Sequence, residues 1–60
     1  GAGKKIMKEI LNYAKVKGFQ RVVTLSPLTP MARHYHIRNN AKLIGVNTYT
    51  QNFEYSLKNL

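Results

Sequence analysis

Sixty residues hold at most one small domain, and a chain this short buries only about 60% of its unfolded surface. Ten Lys and Arg against two acids give a net charge of +8, which points to an anionic partner rather than a cationic one. The absence of cysteine excludes disulfides and thiolate metal sites. No apolar run reaches membrane-spanning length and no secretory signal pattern is present, so a cytoplasmic location is the default expectation.

In chain order, Ile6, Met7, Ile10, Leu11, Tyr13 and Ala14 recur at helical spacing, which predicts a first helix over Ile6–Lys17 with these residues on its core side. Gly18 then suits the left-handed residue beyond a helix end, and Phe19 the hydrophobic contact that accompanies it. Arg21-Val22-Val23-Thr24-Leu25 is β-branched and short, the pattern of a buried strand, and Ser26-Pro27-Leu28 is expected to break it. Thr29-Pro30 reads as N-cap and first position of a second helix over Met31–Asn39, ending at Asn39-Asn40. Leu43–Thr50 is predicted extended, with Ile44, Val46, Thr48 and Thr50 on one face. Gln51-Asn52 is predicted as a turn, and the alternating Phe53–Leu57 as a final strand. The expected fold class is α/β, in the order helix-strand-helix-strand-strand, with a mixed or antiparallel sheet.

Four features bear on chemistry. Gly1-Ala2-Gly3 stands at the mouth of the first helix, where exposed backbone N–H groups and the positive end of the helix dipole favour a phosphate. Lys4, Lys5 and Lys8 crowd the same turns. As cations they oppose that dipole, and a bound phosphate would reverse the penalty. Ser26 follows a strand, where sites in α/β proteins collect. His34 and His36 lie two apart on a helix, so they point in different directions and form no metal motif, but one of them is a candidate for acid–base work, for which imidazole is suited. Tyr13, Tyr35, Tyr49 and Tyr55 are too scattered to form a stacking platform, which ranks nucleic acid below a phosphorylated ligand.

These residues also resemble a known family. Gly1-Ala2-Gly3-Lys4-Lys5-Ile6-Met7 resembles the second half of the coenzyme-binding motif of the GNAT superfamily of N-acetyltransferases. Ala32-Arg33-His34-Tyr35-His36-Ile37-Arg38-Asn39-Asn40-Ala41 resembles a later helix of that family, with Asn40 where glycine is usual and Ala41 where phenylalanine is. The resemblance covers nearly the whole chain. It implies a single unit over residues 1–60, the C-terminal half of an acetyltransferase-like domain. It further implies that Gly1, Ala2, Gly3, Lys4 and Lys5 hold the pyrophosphate of acetyl-CoA or another acyl-CoA, with His36 where the family places its acid tyrosine. Leu25-Ser26-Pro27 with Ala32, Tyr35, His36 and Asn39 also resembles the catalytic region of malonyl-CoA decarboxylase, which implies that Ser26 and His36 act as a catalytic pair.

Three functions follow as expectations. One is an acyl-CoA-binding part of an acetyltransferase-like enzyme. Another is a decarboxylase-like acyl-CoA enzyme using Ser26 and His36. The third is a basic binding module without catalysis. No metal or membrane partner is expected. The early strands of such a domain lie outside this chain. Impaired turnover by the isolated chain is therefore expected, together with an exposed sheet edge open to self-association or to pairing with the other half.

Overall fold

Helix ends are set here by residues with few alternatives. In the structure, a computed structural model describing Ala2–Lys58, α1 spans Ala2–Val16. It stops where Gly18 turns to a φ of 90°. The Gly18 N–H donates to the Lys15 carbonyl at 3.0 Å and that of Phe19 to the Ala14 carbonyl at 3.1 Å. That pair of bonds is the Schellman closure which a left-handed glycine permits. After β1 (Arg21–Pro27), α2 (Pro30–Arg38) begins on a capped end. The Thr29 hydroxyl accepts from the Ala32 N–H at 3.1 Å, and Pro30 takes the first turn, where no N–H is needed. α2 closes as α1 does: Asn40 adopts a φ of 69°, and the Ala41 N–H donates to the His36 carbonyl at 3.0 Å.

β2 (Lys42–Val46) and β3 (Thr50–Ser56) complete an antiparallel sheet of order β1-β3-β2. The element order and the α/β class are those expected from the sequence. Several boundaries are not. β1 runs through Ser26 and Pro27 instead of breaking there, because proline is tolerated where a strand ends at the edge of a sheet. The extended run from Leu43 ends at Val46. Asn47 donates its N–H to the Thr50 carbonyl at 2.7 Å, so the chain reverses before Gln51-Asn52, and those two residues belong to β3. A bulge between Leu43 and Gly45 also ends the simple alternation expected of Ile44, Val46, Thr48 and Thr50.

Residues paired across an antiparallel ladder share a face. Val22, Thr24 and Ser26 therefore stand beside Tyr55, Phe53 and Gln51. Both helices lie on this face: Leu11 of α1 clusters with Phe53, Tyr55 and Leu57, while His36 of α2 stacks on Phe53. The opposite face carries Val23 and Leu25, both exposed, and the Arg21–Glu54 ion pair at 3.0 Å. That pair is open to solvent and contributes little.

The apolar stripe of α1 divides. Met7, Leu11 and Ala14 pack on the core, whereas Ile6, Ile10 and Tyr13 are about half exposed (57%, 48% and 56%) and line an open groove with Phe19. The core expectation thus fails for Ile6, Ile10 and Tyr13. Helix α1 also starts earlier than its apolar pattern, so Gly3 lies within the helix. Among the described residues, no helix is long and apolar enough to cross a membrane.

Two substitutions gauge this framework. Phe53→Ala removes a fully buried ring and is expected to cost about 3–5 kcal/mol, which a chain of this size does not survive folded. Gly18→Ala forces a Cβ into the left-handed region at φ 90° and is expected to cost about 1–2 kcal/mol. Circular dichroism in buffer reads the loss of fold in Phe53→Ala and urea denaturation the cost of Gly18→Ala, and an unchanged midpoint for Gly18→Ala would contradict the Schellman assignment.

Candidate functional site

The sheet face under α2 gathers three side chains that the sequence keeps far apart. Ser26 comes from the end of β1, His36 from the inner side of α2 and Tyr55 from near the end of β3. Ser26 Oγ lies 2.8 Å from His36 Nε2, and His36 Nδ1 lies 2.5 Å from the Tyr55 hydroxyl. All three are buried, at 6%, 8% and 2% exposure. Phe53 stacks on the imidazole at 4.7 Å between ring centroids, and Tyr35 meets it edge-on at 5.0 Å.

Local sequence explains how the three converge. Thr29-Pro30 starts α2 soon after β1, so Ser26 and the second turn of α2 lie close together. Gln51 fixes the connection. Its buried amide donates to the carbonyls of Pro27 and Thr29 at 2.9 and 3.0 Å. Ala32 and His36, four apart, face inward, while Met31, His34, Tyr35 and Arg38 form the outer side of α2.

The hydrogen-bonding needs of the phenol and the imidazole favour one tautomer. Burial lowers the pKa of His36 below the ordinary 6.5, so the ring is neutral at pH 7. Burial, and secondarily the neighbouring Tyr35 phenol, push Tyr55 up to about 12, so its phenol keeps its proton. That proton needs an acceptor, and His36 Nδ1 is the acceptor within reach. Nε2 then carries the ring proton and donates it to Ser26 Oγ. The Ser26 hydroxyl then accepts from the ring, and its own proton is not committed to the imidazole.

Of the other expected site residues, Gly3 and Lys4 lie beside the outer side of α2. Gly1 falls outside the described residues, as do the side-chain surroundings of Ala2. The bare Cα of Gly3 faces Tyr35: an added Cβ would stand 2.9 Å from Tyr35 Cε1, and the Tyr35 hydroxyl donates to the Gly3 carbonyl at 2.6 Å. Helix packing therefore already accounts for the glycine at this position. Lys4 lines a groove of about 490 Å³ between α1 and α2, with His34, Tyr35 and Arg38. Lys5 is exposed and lines neither this groove nor the one beside it. His34 is exposed while His36 is buried, the divergence that their spacing predicts.

The structure thus brings Ser26 and His36 together and sets Lys4 apart from them. Sequence reasoning missed Tyr55 and Gln51. Their alternation with Phe53 marks one strand face, but only the β1–β3 register shows that this face meets Ser26. Among the described residues, no group of three or more metal-ligating side chains is placed to hold an ion. Compared with models of known families, with curated proteins and with solved structures, the chain matches none of them.

The two shifted groups give opposite pH responses. The His36 value is depressed, so its stabilising share is complete above pH 6.5 and is lost as pH falls from 6.5 through the lowered folded value. The Tyr55 value is raised, so its share is complete below pH 10 and is lost as pH rises from 10 through about 12. Following the His36 Hε1 and Tyr55 ring signals by NMR is expected to give midpoints below 6.5 and near 12. A His36 midpoint at or above 6.5 contradicts the buried neutral ring.

Proposed function

We propose that this chain is an acyl-CoA-handling unit of the acetyltransferase-like class, with Ser26 and His36 as the pair that meets the thioester. The observation that carries the reading is the hydrogen-bonded chain from Ser26 through His36 to Tyr55. The two residues that the family resemblance names as partners, ten apart in sequence, are in contact on one buried face. In this reading the diphosphate of the coenzyme is held near the start of α1, where the first-turn N–H groups lack intrahelical partners and Lys4 stands close.

Within that class, the tautomer favours decarboxylase-type chemistry over amine acylation. Acylation of an amine calls for a base to take up a proton, and Nε2 already carries one. Loss of carbon dioxide from a malonyl thioester instead pushes an electron pair toward the thioester carbonyl and develops an enolate oxygen. A fixed hydroxyl donor aimed at that oxygen stabilises the charge. Ser26, oriented by the Nε2–H, is such a donor. Burial of the site strengthens the interaction by excluding water.

The test is a titration of the chain with malonyl-CoA, acetyl-CoA and free CoA, followed by ¹H–¹⁵N NMR. Saturable shifts at Ser26 and His36 with both thioesters are expected, larger than those with free CoA. Ser26→Ala is expected to weaken thioester binding relative to free CoA while leaving the spectrum folded. Absence of any shift at millimolar concentrations of all three ligands would remove the reading. Carbon dioxide release from malonyl-CoA, lost in Ser26→Ala and His36→Gln, separates decarboxylation from transfer to an amine.

A further inference from the structure

We infer that this chain pairs with a second copy of itself along the free edge of β1, joining two three-stranded sheets into a single continuous one. This pairing does not depend on the thioester reading.

The sheet has two edges, β1 and β2, and they are built differently. An unpaired strand edge is a template for another chain, and proteins blunt it with short strands, bulges and lysine. β2 has all of these: five residues, a bulge between Leu43 and Gly45, and Lys42 at its start. β1 has none of them. Its seven residues pair with β3 without a break, and its one charged side chain, Arg21, is held by Glu54.

The ladder shows which groups β1 leaves free. The Leu57 N–H donates to the Gln20 carbonyl at 3.0 Å, so Gln20 and Leu57 form a hydrogen-bonded pair. Such pairs alternate along an antiparallel ladder. Val22, Thr24 and Ser26 therefore turn their main-chain groups toward β3, while Val23 and Leu25 turn theirs to the open edge.

A second β1, antiparallel about a two-fold axis at Thr24, satisfies these groups. Val23 of each copy exchanges both main-chain bonds with Leu25 of the other. Thr24, whose Oγ1 is buried without a hydrogen-bond partner among the described residues, stands opposite its own counterpart and a second hydroxyl. Arg21 lies opposite Pro27, so the two Arg21 side chains sit at opposite ends of the pairing. At about 3.4 Å per residue they are roughly 20 Å apart, beyond the screening length in physiological salt.

Helix α1 supplies the rest of the contact. It packs over β1, with α2 on one flank. Its other flank carries Ile6, Ile10 and Tyr13, which line the open groove with Phe19 on the side of the β1 edge. The axis runs perpendicular to the sheet, so both copies of α1 stay on one side of it and their apolar flanks face each other above the paired strands. On the opposite side, exposed Val23 and Leu25 of one copy meet Leu25 and Val23 of the other. Charge does not oppose this contact. Lys4, Lys8 and Arg38 line the far flank of α1, whereas Glu9 and Lys17 bring opposite charges to the groove itself.

The exposed area matches such a partner. A folded monomer of 6.9 kDa exposes roughly 4,000 Å², and this chain exposes 4751 Å². The surplus, roughly 750 Å², is close to the ~800 Å² that each partner of a specific complex buries.

Sedimentation velocity from micromolar to millimolar concentration, with amide hydrogen exchange followed by NMR, tests the inference. A dimer is expected, with the Val23 and Leu25 amides exchanging more slowly as its population rises. Val23→Pro removes an edge donor that β3 does not use, a position where a strand tolerates proline. Ile10→Asp places a charge on the α1 flank and touches no bond of the ladder, so it decides the matter should Val23→Pro unfold. Each folded variant is expected to raise the dimer dissociation constant about tenfold or more, while Val46→Asp, on β2, matches the parent. Circular dichroism confirms the fold of each. A monomer at millimolar concentration overturns the proposal. So does a dimer whose Val23 and Leu25 amides exchange freely, one that Ile10→Asp leaves intact, or one that Val46→Asp dissociates. A growing series of larger species overturns it too, because a two-fold contact closes at two copies.

Discussion

The fold turns on one buried imidazole. His36 is where α2, β1 and β3 meet: its Nε2 bonds to Ser26, its Nδ1 to Tyr55, and its ring stacks on Phe53. Its carbonyl also accepts from Ala41, closing α2 and turning the chain toward β2. A buried imidazole is stable only while both nitrogens are satisfied, and an orphaned partner costs about 1–3 kcal/mol. Each of the three elements is therefore held in register by the needs of one side chain. This explains how a layer of two helices on three strands keeps a defined geometry without a disulfide. The same demand couples the three groups: a phenol proton given to Nδ1 leaves the ring proton on Nε2, facing Ser26.

What the sequence makes legible is local. Thr29-Pro30, Gly18-Phe19 and Asn40 each specify a helix end through a backbone conformation that few residues adopt, and all three positions behave as expected. What it hides depends on partners distant in the chain. Gln51 and Asn52 are turn-prone residues in isolation, yet β1 supplies Ser26 and Leu25 opposite them and holds both in a strand. The apolar stripe of α1 is wide enough for two readings. Only the position of the sheet decides that Met7, Leu11 and Ala14 face the core while Ile6, Ile10 and Tyr13 do not. Gly3 is similar. A glycine near a helix start suggests close approach of something, and the structure shows that Tyr35 approaches it.

The site divides along the same line. The Ser26–His36 pairing rests in the sequence on short motifs whose residues are ten apart, and the short β1–α2 connection clamped by Gln51 brings them within hydrogen-bond distance. Tyr55 has no comparable signal, since an alternating strand tyrosine is ordinary core material until its hydroxyl is seen against Nδ1. Helix α2 is hard to read for a related reason. Its inward position is a histidine, and its outward positions include Met31 and Ile37, both exposed, so polarity and burial run opposite to the usual amphipathic pattern.

That inversion gives both sides of α2 a structural task. Within a helix of nine residues, one side places His36 against Ser26, and the other places His34, Tyr35 and Arg38 along the groove beside Lys4. An α-helix is stiff over such a length, so any displacement of Arg38 is carried by the same rigid body that holds the imidazole. The Tyr35–Gly3 bond opposes any change in helix spacing, and the Gln51 clamp opposes sliding of α2 along β1. Because His36 and Arg38 stand on opposite sides of a single short helix, the groove between α1 and α2 and the orientation of the buried hydroxyl share one mechanical constraint. A loss of packing at Tyr35 would loosen both together.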